Sequence, residues 1–340
     1  MIPIRRKNLQ QLAERHYESI LDYTNKEKPT YIDELENWLQ DKFSLTFKEL
    51  ILAKPDKLDE IADTFTQLRK ELKEDKNGEE KEKVFIYWDN ERITKQINLI
   101  PGLYSKFSPK DSSPFKIKTD NGKSDSYNGS VLVESLGLTV CPYCNRNFIN
   151  TIYRDNIDKP RAIDRRTSQL DHFYPKSIFP ILAMSFYNLI PSCMVCNFIK
   201  KDISEVNKYY NPYDARFDGN KGFQFKLRIT SPEFYYNKDK IEIEYDGLDE
   251  QKRISNNLDL FKIKELYNEH KDIVIELIQK DIIYNDSYID ELYKKYEGTL
   301  FKNREDVLRL VTSNYIAEDE LDKRPLSKLT RDIAEELGLI

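Results

Sequence analysis

The four cysteines of this 340-residue chain fall into two Cys-x-x-Cys pairs, Cys141/Cys144 in "CPYCN" and Cys193/Cys196 in "SCMVCN". One tight turn lets each pair offer two thiolates to a single ion. Two pairs then complete the four-sulfur tetrahedron of a structural zinc site, with no position left open for chemistry at that ion. The competing reading is redox, which needs one exposed pair opening a helix in a thioredoxin-like setting. Nothing around either pair resembles that setting, and it would leave a second pair unexplained. The 48 residues between the pairs contain "QLDHFYPKS", which sets Asp171 directly before His172.

Only three histidines occur. His16 and His270 fall beside apolar residues at helical spacing, where an imidazole packs or hydrogen-bonds as part of the core. His172 stands outside any such stripe, in a proline-bounded segment, and is the one that invites a chemical role. Adjacent residues on a regular strand point to opposite faces. Asp171 and His172 can therefore serve one site only if a strand ends or bulges there, and Pro175 makes an ending plausible.

Taken in order, Cys-x-x-Cys, Asp-His, Asn-Leu and Cys-x-x-Cys-Asn-x-x-Lys over residues 141–201 resemble the HNH endonuclease motif of the His-Me finger, or ββα-metal, nucleases. Within that family, "LDHFYPKS" and "NLIPSCMVCN" look most like the PtuB-type nuclease subunit of Septu anti-phage systems. The resemblance implies that His172 is the general base and that Asp171 and Asn197 ligate a catalytic Mg²⁺ or Mn²⁺. It implies that Asn188 braces the loop and orients His172, and that the four cysteines hold structural zinc. The motif here reads His-Asn-Asn where many members read His-Asn-His. Elementary chemistry agrees with these roles. Histidine titrates near neutrality and can take a proton from water. A carboxylate and an amide oxygen suit a hard cation acting as a Lewis acid at a phosphate. Lys200 and Lys201 lie three and four residues after Asn197, on one face if residues 194–204 are helical, and are candidate phosphate contacts with Arg165 and Arg166. The plain alternatives are solvated surface lysines and a surface Asp-His pair in an inert zinc module.

The elements that must position these residues are read from periodicity. Apolar residues recur at helical spacing over 9–24, 30–40 and 56–72, from Leu258 to Ile278, and around 287–297, 303–316 and 330–337, with Gly338 as a stop. "FQFKLRI" and "IEIEYD" alternate as strands do. "KEDKNGEEKEK" (73–83) reads as a solvated linker, and residues 108–130, rich in Ser, Gly, Asp and Pro, as an irregular loop. Net charge is −5, yet residues 141–210 carry ten Lys and Arg against six Asp and Glu. Arg161, Arg165 and Arg166 stand just before Asp171, so the segment that would meet phosphate is the basic one. There is no glycine-rich phosphate loop, so nucleotide sensing is not expected of this chain. No apolar run approaches the roughly 20 residues of a membrane span, and the charged N-terminus does not read as a secretory signal.

The expected architecture is α+β: a helical region over 1–130, a zinc-stapled ββα nuclease domain over 131–210, and a region of short strands then helices over 211–340. The expected activity is metal-dependent phosphodiester hydrolysis, on DNA, in the cytoplasm. The narrower resemblance implies an anti-phage effector paired with a separate ATPase. Alternatives are a restriction-type or RNA-directed HNH nuclease, or a non-catalytic zinc module that binds nucleic acid or a partner.

Overall fold

The computed structural model describes residues 1–27, 29–74, 91–107, 113–118, 124–154, 162–201, 203, 205–215, 222–247 and 252–340. Arg161 and the linker run beyond residue 74 lie outside the described residues. Among those described, the fold is mixed, with thirteen α-helices and four two-stranded antiparallel sheets. No helix among them is long and apolar enough to cross a membrane.

The chain forms two compact units that interleave in sequence. One gathers Arg5–Gly137 and Asn150–Asn207; the other gathers Met1–Ile4, Leu138–Ile149 and Lys208–Ile340. The three consecutive segments expected from composition do not coincide with them.

The first unit contains α1 (Leu9–Glu27), α2 (Pro29–Phe43), α3 (Phe47–Ile51), α4 (Pro55–Glu74), α5 (Glu91–Phe107) and α6 (Gly129–Leu136). Three short hairpins join them: β1 (Lys116–Lys118) with β2 (Ser124–Ser126), β3 (Thr151–Arg154) with β4 (Ala162–Arg166), and β5 (Gln169–His172) with β6 (Leu189–Ser192). Helix α7 (Met194–Lys200) follows β6 directly. Helix α1 buries Leu12, Ala13, His16, Ser19, Ile20 and Tyr23, one stripe at helical spacing. Thr46 and Glu49 close a reciprocal capping box at the start of α3. The expected loop over 108–130 is more ordered than its composition implies. Its described part pairs as β1–β2, and Asn128 caps α6 by accepting the N–H groups of Ser130 and Val131. Phe107, Tyr127 and Phe186 meet edge-on or tilted around His16 to form an aromatic core.

The second unit contains the hairpin β7 (Gln224–Ile229) and β8 (Ile241–Asp246), then α8 (Arg253–Leu260), α9 (Ile263–Asn268), α10 (Lys271–Ile283), α11 (Asp286–Tyr296), α12 (Arg304–Thr312) and α13 (Ser327–Leu337). Gly338 ends α13 in the left-handed conformation. Residues 138–149 belong here because Asn145 binds them in. Fully buried with φ 51°, it donates from Nδ2 to Leu321 O, accepts the Lys328 N–H on Oδ1, and accepts the Leu326 N–H on its own carbonyl. The Tyr267 hydroxyl donates to Cys144 O at 2.7 Å, and the Tyr143 ring stacks on Phe261.

Candidate active site and thiolate cluster

In the first unit, β5 and β6 pair in regular register, Asp171 opposite Ile190 and His172 opposite Leu189, and α7 packs against β5. The strand ends at His172. Both Asp171 and His172 line one cavity of about 420 Å³ with Asn197, so the ending resolves the two-faced geometry of a strand.

Lys200 makes that ending. Its ammonium donates to the carbonyls of His172 at 2.9 Å and Phe173 at 2.7 Å, and pairs with Asp171 Oδ2 at 3.2 Å. It is 4% exposed. Burial lowers its pKa, while the Asp171 carboxylate opposes that shift. The phosphate contact expected of Lys200 does not suit an ammonium held inside by three protein oxygens; its work here is internal.

Asn188, fully buried, sits below the same turn. Its Oδ1 accepts the Tyr174 N–H at 2.6 Å, and its Nδ2 donates to Tyr174 O and Leu182 O. Its own carbonyl accepts the Phe173 N–H. These bonds fix the backbone just beyond His172.

His172 is 9% exposed, and its Nε2 lies 3.0 Å from Ala183 O. A carbonyl oxygen only accepts, so Nε2 carries the proton and Nδ1 the lone pair. The Tyr104 ring meets the imidazole edge-on, with centroids 4.3 Å apart. Burial lowers the His172 pKa to about 3; the Ala183 bond opposes the shift, and the charges of Lys176 and Lys200 add to it. The imidazole is neutral at physiological pH.

Of the remaining expected residues, Lys201 is exposed and lines the cavity, one residue past the end of α7. The helix stops at Lys200, short of the expected 194–204. Arg166 is turned away: its Nη1 donates to Gly129 O at 3.0 Å, and burial lowers its pKa. Arg165 is exposed on β4, and neither arginine lines the cavity. Tyr104, Lys176, Met194 and Phe198 line it without having been expected there. The Lys176 ammonium sits over the Tyr104 ring, 4.7 Å from its centroid.

The four cysteines are buried, form no disulfide, and have Sγ atoms all within 4.8 Å of one another. Sulfurs around a tetrahedral zinc at Zn–S 2.3 Å stand about 3.8 Å apart, so this spacing fits. Backbone N–H groups point at the sulfurs: Arg146 N lies 3.4 Å from Cys144 Sγ, and Cys196 N lies 3.5 Å from Cys193 Sγ, which also caps α7. Such donors favour thiolate over thiol. The cluster could hold a metal ion such as zinc. Comparison with family models, curated proteins and solved structures finds no match for this chain.

Proposed function

We propose that the chain is a metal-dependent endonuclease of HNH type that hydrolyses phosphodiester bonds, with DNA as its substrate. One observation carries this reading. A histidine whose tautomer is fixed by a backbone carbonyl shares a cavity with a carboxylate and an amide, at the end of a β-hairpin backed by a helix.

Nδ1 of His172 is the basic atom. It takes a proton from the attacking water as the water oxygen bonds to phosphorus. The bond to the 3′ oxygen breaks, and that oxygen leaves with a proton from solvent. The phosphate stays on the 5′ side. An anionic phosphodiester beside His172 counters the lysine charges and raises its pKa toward neutrality, where a general base works best. Lys176 and Lys201, both exposed at the cavity, offset charge on the phosphate. Asn188 and Lys200 are positioning residues that hold the turn after His172. Asp171 and the Asn197 amide form a hard oxygen donor pair suited to Mg²⁺ or Mn²⁺. Bound there, the cation would supply Lewis-acid stabilisation of the phosphate. The four-thiolate cluster is read as structural zinc.

Two measurements test this reading. Purified protein incubated with plasmid, single-stranded DNA and RNA is expected to cleave only with Mg²⁺ or Mn²⁺ added, and His172→Ala is expected to lose cleavage while still folding cooperatively. Cleavage that survives His172→Ala would overturn the assignment. Elemental analysis should return one zinc per chain, lost in Cys196→Ser; zinc-free protein with reactive thiols would reject the structural metal.

A further inference from the structure

Helix α7 presents an apolar face at the mouth of the cavity. Phe198 is 77% exposed and Met194 is 67% exposed. Four residues apart, they share one side of the helix. Both line the cavity that holds Asp171, His172 and Asn197. Single exposed apolar residues are ordinary on protein surfaces. An aromatic ring beside a cavity that also carries a carboxylate, an amide and ammonium groups is a different case. The exposed Lys176 and Lys201 border the same space. A flat apolar ring beside two ammonium groups matches the two halves of a nucleotide, an aromatic base and an anionic phosphate. The ring is also close in sequence to the chemistry, one residue after Asn197.

Stacking requires a free base face. In an uninterrupted duplex each base is covered above and below by its neighbours, and exposing one costs a few kcal/mol of unstacking. A single strand, flap, loop or mismatch offers the face at much lower cost.

We propose that Phe198, with Met194 beside it, is a stacking platform for an unpaired nucleobase, so that the site acts on nucleic acid carrying unpaired nucleotides. This rests on the nuclease reading above and deepens it by naming the substrate class. The platform selects for base faces rather than base edges, so it carries little sequence preference. It takes single-stranded DNA or RNA by the same contact.

The test is fluorescence anisotropy on the full chain without added Mg²⁺ or Mn²⁺, using labelled single-stranded DNA, single-stranded RNA and a blunt-ended DNA hairpin closed by a non-nucleotide linker, so that every base is paired. The parent is expected to bind at least one single strand about tenfold more tightly than the hairpin. The strand it prefers identifies the source as DNA or RNA. Phe198→Ala and Phe198→Leu should each weaken single-strand binding about tenfold, and Phe198→Trp should keep it. Hairpin binding should change little in any variant. Because Phe198 is exposed, all three variants should melt with the parent. Equal binding by Phe198→Ala, full retention by Phe198→Leu, or an equal loss on the hairpin would overturn the stacking platform and leave His172-dependent cleavage untouched. A parent that binds none of the three probes overturns the platform, and if it also cleaves none of them the nuclease reading falls separately. A ring buried by a protein partner instead would show as Phe198→Ala with unchanged oligonucleotide affinity.

Discussion

His16 and His172 belong to the same unit and hang from neighbouring carbonyls. Nε2 of His16 lies 2.9 Å from Met184 O; Nε2 of His172 lies 3.0 Å from Ala183 O. Both are buried, and burial lowers both pKa values, to about 4 for His16 and about 3 for His172. The difference lies at the other ring nitrogen. Nδ1 of His16 accepts from the Tyr127 hydroxyl at 3.1 Å, and the rings of Phe107, Tyr127 and Phe186 enclose it. Among the described residues, His172 meets the edge of one aromatic ring, Tyr104, and borders a cavity shared with Asp171 and Asn197. A neutral, backbone-anchored imidazole is thus not distinctive in itself. A place on the wall of a cavity, rather than inside a cage of rings, separates a candidate base from a core histidine.

The sharpest way to break the comparison is to delete each ring. His172→Ala is expected to lower the cleavage rate by about 10²–10⁴-fold, the usual contribution of a general base. His16→Ala should leave cleavage per folded molecule within about tenfold, because its ring does not reach the cavity. If both variants lose cleavage equally, the Ala183–Met184 segment couples the two sites and that distinction fails. Initial rates normalised to folded protein decide this.

The order reverses for stability. His16→Ala leaves a void among three aromatic rings and strands the Tyr127 hydroxyl and Met184 carbonyl without their partner. Cavity and unpaired-group costs together amount to about 2–4 kcal/mol. His172→Ala enlarges a cavity that already exists, where water can replace the bond to Ala183, so the cost is smaller. Urea unfolding of the two variants should show His16→Ala as the weaker protein; the opposite ranking would mean that His172 is the core group.

Much of this site is legible in the sequence because its signals are local. The cysteine pairs and Asp171–His172 stand out as candidates within a few residues. The helices after Leu260 and the hairpin β7–β8 follow apolar periodicity, while α8 starts at Arg253, ahead of the pattern read from Leu258. What is not legible depends on contacts far along the chain. Residues 138–149 join the C-terminal unit through Asn145, whose partners lie at 321–328. Tyr104 reaches Leu170 O across 66 positions, and Arg166 is drawn to Gly129 across 37. The inward role of Lys200 did have a signal: four residues after Cys196, it shares that residue's buried face. A charged residue at such spacing from a metal-like cysteine points to an internal ion pair rather than to phosphate. Met194 and Phe198 had the same kind of signal on the opposite, exposed side.

The smallest effect expected is in the pH dependence of stability, and it sharpens the comparison without touching activity. A folded-state pKa below the unfolded value means that the unfolded chain takes up the proton first. For His16, with an unfolded value near 6.5 and a folded value of about 4, the contribution is complete above about pH 6.5 and declines as pH falls toward 4. The limiting slope is about 1.4 kcal/mol per pH unit for one such group. His16→Gln can still present an amide to Met184 but cannot titrate. Chemical unfolding at pH 7.0, 6.0 and 5.0 should therefore show the parent losing stability more steeply than His16→Gln, with the two curves converging toward pH 5. The cavity makes a further distinction. A bound single-stranded oligonucleotide brings negative charge to His172 and should flatten its share of the slope, while the share belonging to the enclosed His16 stays fixed. Parallel curves for parent and His16→Gln would mean that the imidazole at position 16 does not resist protonation, and that its cage is wetter than its aromatic walls imply.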